Sequence, residues 1–207
     1  MNTNRRAFLD MLGVSEGTLT CPISVYRGYD VIVMGIDGKH EVFTDFNDHP
    51  FANGRLTKTI NHRGLTSTAS GKYQIMLKDW AHYSKQLDLR NKNLYPDGAF
   101  SPAAQDAYAL QLIRERSALP LIDHGSFDLA VARCRNLWAS LPGAGYGQHE
   151  NSLVKLRLAY VNAGGWFVAS TTEAVVEAIK TVPAKAPHPA IVGILSVFNF
   201  ILGLFGK

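Results

Sequence analysis

Cysteine is scarce in this 207-residue chain: only Cys21 and Cys134 occur, more than a hundred residues apart. That spacing lacks the close pairing of a metal knuckle or a redox site. Two free thiols from a reducing cytoplasm are the simpler reading, with a disulfide between them left open. No block of Lys and Arg interleaves with aromatic residues, so nucleic acid is not the expected partner. Met1 to Arg6 leads into a stretch carrying Asp10 rather than an uninterrupted apolar run, so a secretory leader is not expected. The expectation is synthesis in the cytoplasm and export by another route. The seven histidines are scattered, none paired at the i, i+4 spacing of a helical metal site. Asp48-His49-Pro50 with His62 comes nearest to a zinc amidase word, and the expectation is no metal and no cofactor. No internal repeat is visible.

Hydrophobic residues make up 46% of the chain, enough for a real core in one domain with an appendage. The net charge is +4 and the sequence pI about 9.1. This balance suits contact with anionic wall polymers or an anionic membrane, and equally suits ordinary solubility.

Phe8, Met11, Leu12 and Ser15 recur at three- and four-residue spacing, predicting a helix over residues 4–15. Val31, Val33, Ile36, Glu41, Val42 and Phe43, broken at Gly35 and Asp37-Gly38, predict a β-hairpin. Helices are predicted from Tyr73 to Leu87, from Ser101-Pro102 through Arg116, from Phe127 to Ser140 and from Asn151 to Ala163. A small antiparallel sheet on a mostly helical body is an α+β class. Beyond Gly164-Gly165, Ser170-Thr171-Thr172-Glu173 reads as a capping box opening a short helix through Thr181. Three prolines between Val182 and Pro189 predict an extended linker. Ala190 to Gly206 then carries no charge. As a helix this run reaches ~26 Å, slightly short of a ~30 Å hydrocarbon core. The expected domains are therefore 1–165 as the main body, 166–189 as short helix and linker, and 190–207 as a hydrophobic, membrane-active tail. Residues 181–207 hold Lys185 and Lys207 and no acid, which favours anionic lipid. Burial against the body is the alternative.

Glu16 lies where the first helix should end, a lone carboxylate beside an apolar face. An acid in that position loses hydration when charged, which raises its pKa and keeps it a proton donor near neutral pH. An exposed Glu in a turn is the competing reading. Asp30 and Asp45 are possible second carboxylates, and Asp30 serves equally well as a cap on the hairpin. Thr68, Ser70, Tyr73 and Gln74 offer short donors and acceptors beside a ring, a set suited to sugar hydroxyl and N-acetyl groups; a helix cap followed by a first turn would look the same. Gly143-Ala144-Gly145-Tyr146-Gly147-Gln148 can form a mobile lip over a ligand or a plain connector.

Several of these words, in one order, resemble the phage lambda-type endolysins. They are Arg6-Ala7-Phe8-Leu9-Asp10-Met11-Leu12 before Ser15-Glu16-Gly17-Thr18; Gly28-Tyr29-Asp30-Val31-Ile32-Val33; Phe43-Thr44-Asp45-Phe46 with Asp48-His49-Pro50; Ser67 to Gln74; and Trp138 to Gln148. The resemblance spans roughly residues 5–165. It implies a lysozyme-like α+β fold and a monomeric lytic transglycosylase that cuts peptidoglycan between N-acetylmuramic acid and N-acetylglucosamine, in the periplasm, to lyse the host. It supports Glu16 as the catalytic acid and places Thr68, Ser70, Tyr73 and Gln74 in the glycan cleft; Asp30 and, from the Gly-rich lip, Tyr146 are expected along the glycan as well. The Glu, Asp or Cys, Thr triad of phage T4-type lysozymes is absent, because its second and third positions fall on Val25 and Val31. Leu158-Ala159-Tyr160-Val161-Asn162-Ala163-Gly164 departs from the Ala-Tyr-Asn-Ala-Gly word of other lytic transglycosylases by the inserted Val161, which turns Asn162 by ~100° about a helix. Two rival expectations are a hydrolytic muramidase with Asp30 activating water, and a wall-binding or membrane-disrupting protein in which catalysis is incidental.

Overall fold

A computed structural model describes residues 1–146, 149–169, 171 and 180. Among them are six helices and two short hairpins. The first helix, α1 (Thr3–Ser15), is capped by the Asn2 side chain, which accepts from the Asn4 backbone N–H at 2.8 Å. Ala7, Phe8, Leu9, Met11 and Leu12 are all buried, more faces than one amphipathic stripe would cover. α1 is therefore a central helix. It packs against α6 (Leu153–Asn162) and α4 (Leu119–Asp123). Phe8 meets the rings of Phe127 and Tyr160 at 5.9 and 6.5 Å, and full burial of such a side chain contributes about 2–3 kcal/mol.

The first hairpin pairs β1 (Val31–Ile32) with β2 (Glu41–Val42), with Val31 opposite Val42. This is the expected one, with Gly38 at φ +67 in its turn. The second, β3 (Lys58–Thr59) with β4 (Thr66–Ser67), was not anticipated. Its turn is organised by Asn61 Oδ1, which accepts from the backbone N–H groups of Arg63 and Leu65 at 3.0 Å each.

α2 spans Leu77–Gln86, four residues later than the expected start at Tyr73. Gln74 adopts φ +49, and Ser70 pairs with Ile75, so residues 70–75 close a tight turn before the helix can begin. Gly71, at φ +74, allows that turn to press on α3 (Pro102–Glu115): an added Cβ would lie 2.1 Å from Gln105 Oε1. The same Oε1 accepts from Lys72 N, while Gln105 Nε2 donates to Tyr29 O and Phe100 O. α3 begins as expected, with Ser101 as cap and Pro102 in the first turn. α5 (Phe127–Cys134) stops six residues short of Ser140, because the chain turns at 134–137 and again at 138–141. Residues 138–141 thereby return to the end of α1.

Candidate active site

α1 ends at Glu16. Its backbone N–H still donates to Leu12 O at 2.9 Å, and Gly17 then reverses the chain at φ +73. Thr18 Oγ1 lies within hydrogen-bond reach of two carbonyl oxygens, Lys72 O at 2.7 Å and Gly13 O at 3.2 Å. These contacts fix Glu16 where the helix meets the rest of the body, at 6% exposure. Burial pushes its carboxyl up to about 7, and the hydrogen bond from Ser140 opposes part of that rise. The group is poised to be protonated in neutral solution and to ionise once its proton has left.

Ser140 Oγ donates to Glu16 Oε1 at 2.5 Å. Ser15 Oγ lies 2.7 Å from Ser140 Oγ. Asn151, just before α6, reaches Ser15 O and Ser140 O with Nδ2 at 3.1 and 3.2 Å. Three distant parts of the chain meet at one carboxyl. No sequence spacing signals Ser140 or Asn151, which lie 124 and 135 positions from Glu16; Ser140 meets it directly and Asn151 by way of Ser15 and Ser140.

Asp30, expected either along the glycan or as a cap, has both carboxylate oxygens bonded within the chain. It is fully buried, with one oxygen accepting from Ser24 Oγ and the other from Val25 N at 3.0 Å. It holds the 24–30 loop. Ser70 and Tyr73 are also bonded within the body: the buried Ser70 hydroxyl donates to Thr68 O, and Tyr73 OH donates to Asp106 Oδ1 at 2.6 Å. Gln74 is also buried, its Nε2 donating to Gly71 O at 3.1 Å. Thr68 is half-buried and accepts from Leu77 N at 3.0 Å, and Tyr146 is half-buried. These two are the expected sugar contacts that keep a partly open face. Of the Gly-rich loop, Gly147 and Gln148 lie outside the described residues; Gly143 N and Gly145 N both donate to the Glu150 carboxylate at 2.7 Å, which pins its start.

Beneath the site runs a buried polar network that the sequence did not announce. Lys72, at 1% exposure, donates to Asp10 Oδ1 at 2.5 Å and lies 4.7 Å from the centre of the Tyr29 ring. Tyr29 OH and Tyr73 OH both donate to Asp106, whose carboxyl burial pushes up. His49 accepts from Phe51 N through Nδ1 and so donates through Nε2 to Ile75 O at 2.9 Å. Burial lowers its pKa to about 4, and neither ring nitrogen is free for zinc. Among the described residues no group of three or more His, Cys, Asp or Glu could hold a metal ion. Cys21 and Cys134 are both buried free thiols, and burial raises Cys134 to about 12. Asn162 is exposed. A groove of about 380 Å³ between α1 and α6 and another of about 340 Å³ beside β2 flank the body, and Glu16 lines neither.

A sequence profile of the Endolysin family matches residues 6–167. The chain is 59% identical to the endolysin of Escherichia phage P2 over 162 residues, 78% of this chain and 93% of that protein. It is 48% identical to the endolysin of Escherichia phage lambda over 166 residues, 80% of this chain and 94% of that one. The crystal structure of bacteriophage lambda lysozyme in complex with a chitohexasaccharide matches with a TM-score of 0.69 at 46% identity, covering 81% of this chain and 98% of that chain. On the strength of these matches and of a fold that buries a lone carboxyl at the end of its central helix, the chain belongs to the endolysin family.

Proposed function

We propose that this endolysin cleaves the N-acetylmuramic acid to N-acetylglucosamine β-1,4 bond of peptidoglycan by lytic transglycosylation, with Glu16 as the one catalytic group. The observation that carries the reading is a buried, uncharged-partnered Glu16, raised to about 7 and held by the Ser140 hydroxyl. In the first step Glu16 gives its proton to the glycosidic oxygen as the bond to the anomeric carbon breaks. The Glu16 carboxylate then takes the proton of the muramic acid 6-hydroxyl, whose oxygen bonds to the same carbon. The product is a 1,6-anhydro end, and no water is consumed. The intramolecular hydroxyl competes well because its effective molarity is high.

A hydrolase needs a second carboxylate placed to activate water or to trap the sugar. Asp30 is engaged by Ser24 and Val25 on both oxygens, which favours the single-acid route. The oligosaccharide bound by the lambda enzyme supports a glycan strand as the ligand, with Thr68 and Tyr146 as sugar contacts. Lengthwise, we assign catalysis to residues 1–165. No helix among the described residues is long and apolar enough to cross a membrane. Residues 190–207 lie outside the described residues, and their role is proposed as contact with anionic lipid. The function is tested by digesting purified walls with the native protein and with Glu16→Gln. Native protein yields anhydro-ended fragments, and the variant loses at least ~10²-fold in rate.

A further inference from the structure

A carboxylic acid can hold its proton on either oxygen, and delivery to a glycosidic bond needs it on the oxygen that faces substrate rather than protein. Asn151 Nδ2 stands 3.1 Å from Ser15 O, 3.2 Å from Ser140 O and 3.2 Å from Ser15 Oγ. Two of these are backbone carbonyls, which only accept, so the amide nitrogen must be the end that faces them. At the other end Lys155 Nζ donates to Asn151 Oδ1 at 2.6 Å and fixes the same orientation. Nδ2 has two protons for these three acceptors, so Ser15 Oγ shares one of them with a carbonyl; Ser140 has a single proton, directed at Glu16 Oε1, so across the 2.7 Å pair Ser15 Oγ is the donor. Ser140 in turn donates to Glu16 Oε1 at 2.5 Å.

We propose that Asn151 is a positioning residue whose amide sets a one-way hydrogen-bond relay, through Ser15 and Ser140, into Oε1 of Glu16, so that the catalytic proton is carried on Oε2. This rests on the reading of Glu16 as the acid. With the relay intact Oε1 is always an acceptor, in the acid as in the carboxylate. Protonation on Oε1 would put two protons between Oε1 and Ser140 Oγ, and reversing the relay would turn the Ser15 hydroxyl against the Asn151 amide. Each link also polarises the next, strengthening the bond that receives the carboxylate after proton transfer. Among the described residues, the charged group bound to this relay is Lys155 from α6, through Asn151 Oδ1.

Two variants test the relay. Asn151→Asp replaces the donor end by an acceptor, which turns the Ser15 and Ser140 hydroxyls around and leaves a lone pair facing Oε1. Ser15→Ala cuts the relay without adding charge, and it alone decides where Asn151→Asp does not fold. The readouts are the Glu16 titration, followed by carboxyl carbon NMR, and kcat and KM on soluble glycan strands. In Asn151→Asp the titration should move up by about one pH unit and kcat should fall roughly tenfold. In Ser15→Ala it should move up by about half a unit, with kcat roughly halved as the proton divides between the two oxygens, and KM unchanged. A folded Ser15→Ala whose Glu16 titration and kcat match the native protein overturns the relay. Full activity of Glu16→Gln would instead overturn the function, whereas the NMR titration of Ser15→Ala judges the relay either way.

Discussion

At Glu16, the proposed catalytic acid, burial of a carboxyl costs stability. Its ordinary value is near 4.5 and burial lifts it to about 7. Between those values the folded protein binds more protons than the unfolded chain, so stability falls as pH rises through that window. A buried Gln carries no such penalty and still accepts from Ser140 through its carbonyl oxygen. Glu16→Gln is therefore expected to unfold at higher temperature than the native protein at pH 8, by about 2–3 kcal/mol, with the gain gone near pH 4. Thermal melts at the two pH values measure it, and equal stability at pH 8 would show that Glu16 is not desolvated. At Asp30 the opposite holds: both oxygens are acceptors, and an amide nitrogen in place of one sets donor against donor. Asp30→Asn should cost about 1–3 kcal/mol in denaturant unfolding yet leave anhydro-ended products. Loss of activity in a variant of native stability would make Asp30 catalytic.

Among the elements, those with a single local cause were legible in the sequence. α1, α3 and the first hairpin each declare themselves by apolar periodicity, a Ser-Pro start or an Asp-Gly turn. α2 was misplaced because its true start depends on a left-handed Gln74 and on Ser70 pairing with Ile75, contacts that helical periodicity cannot reveal. The second hairpin, only two residues per strand, is built from Asn61 bonding its own turn rather than from alternation. The 70–75 turn also binds three elements together, since Gly71 N donates to Val31 O at 2.7 Å while its Cα faces Gln105. Gly71→Ala forces a Cβ into Gln105 and a positive φ on an L side chain. We expect it to destabilise by at least about 2 kcal/mol, read as a lower midpoint in urea. An unchanged midpoint would mean that α3 shifts freely against this turn.

At the scale of the whole molecule, the candidate site joins the end of α1, the turn after α5 and the start of α6, so the sequence offers Glu16 as a candidate but carries no sign of the side chains that meet around it. Asp30, Ser70, Tyr73 and Gln74, four of the six residues expected along the glycan, have side chains bonded within the body, because a polar side chain within a quoted motif can face inward as readily as outward. The chain beyond the catalytic body is a separate matter. Removing residues 190–207 should leave the rate on purified peptidoglycan close to native, because every residue assigned to catalysis lies before Gly165, and should abolish binding to anionic liposomes. Unchanged liposome binding, or unfolding of the truncated protein, would place that segment against the body instead. The most direct measurement of the central claim is mass spectrometry of the muropeptides released by the native protein. Single-acid transglycosylation predicts 1,6-anhydro ends and no uptake of labelled oxygen from water; reducing ends carrying that oxygen would contradict it.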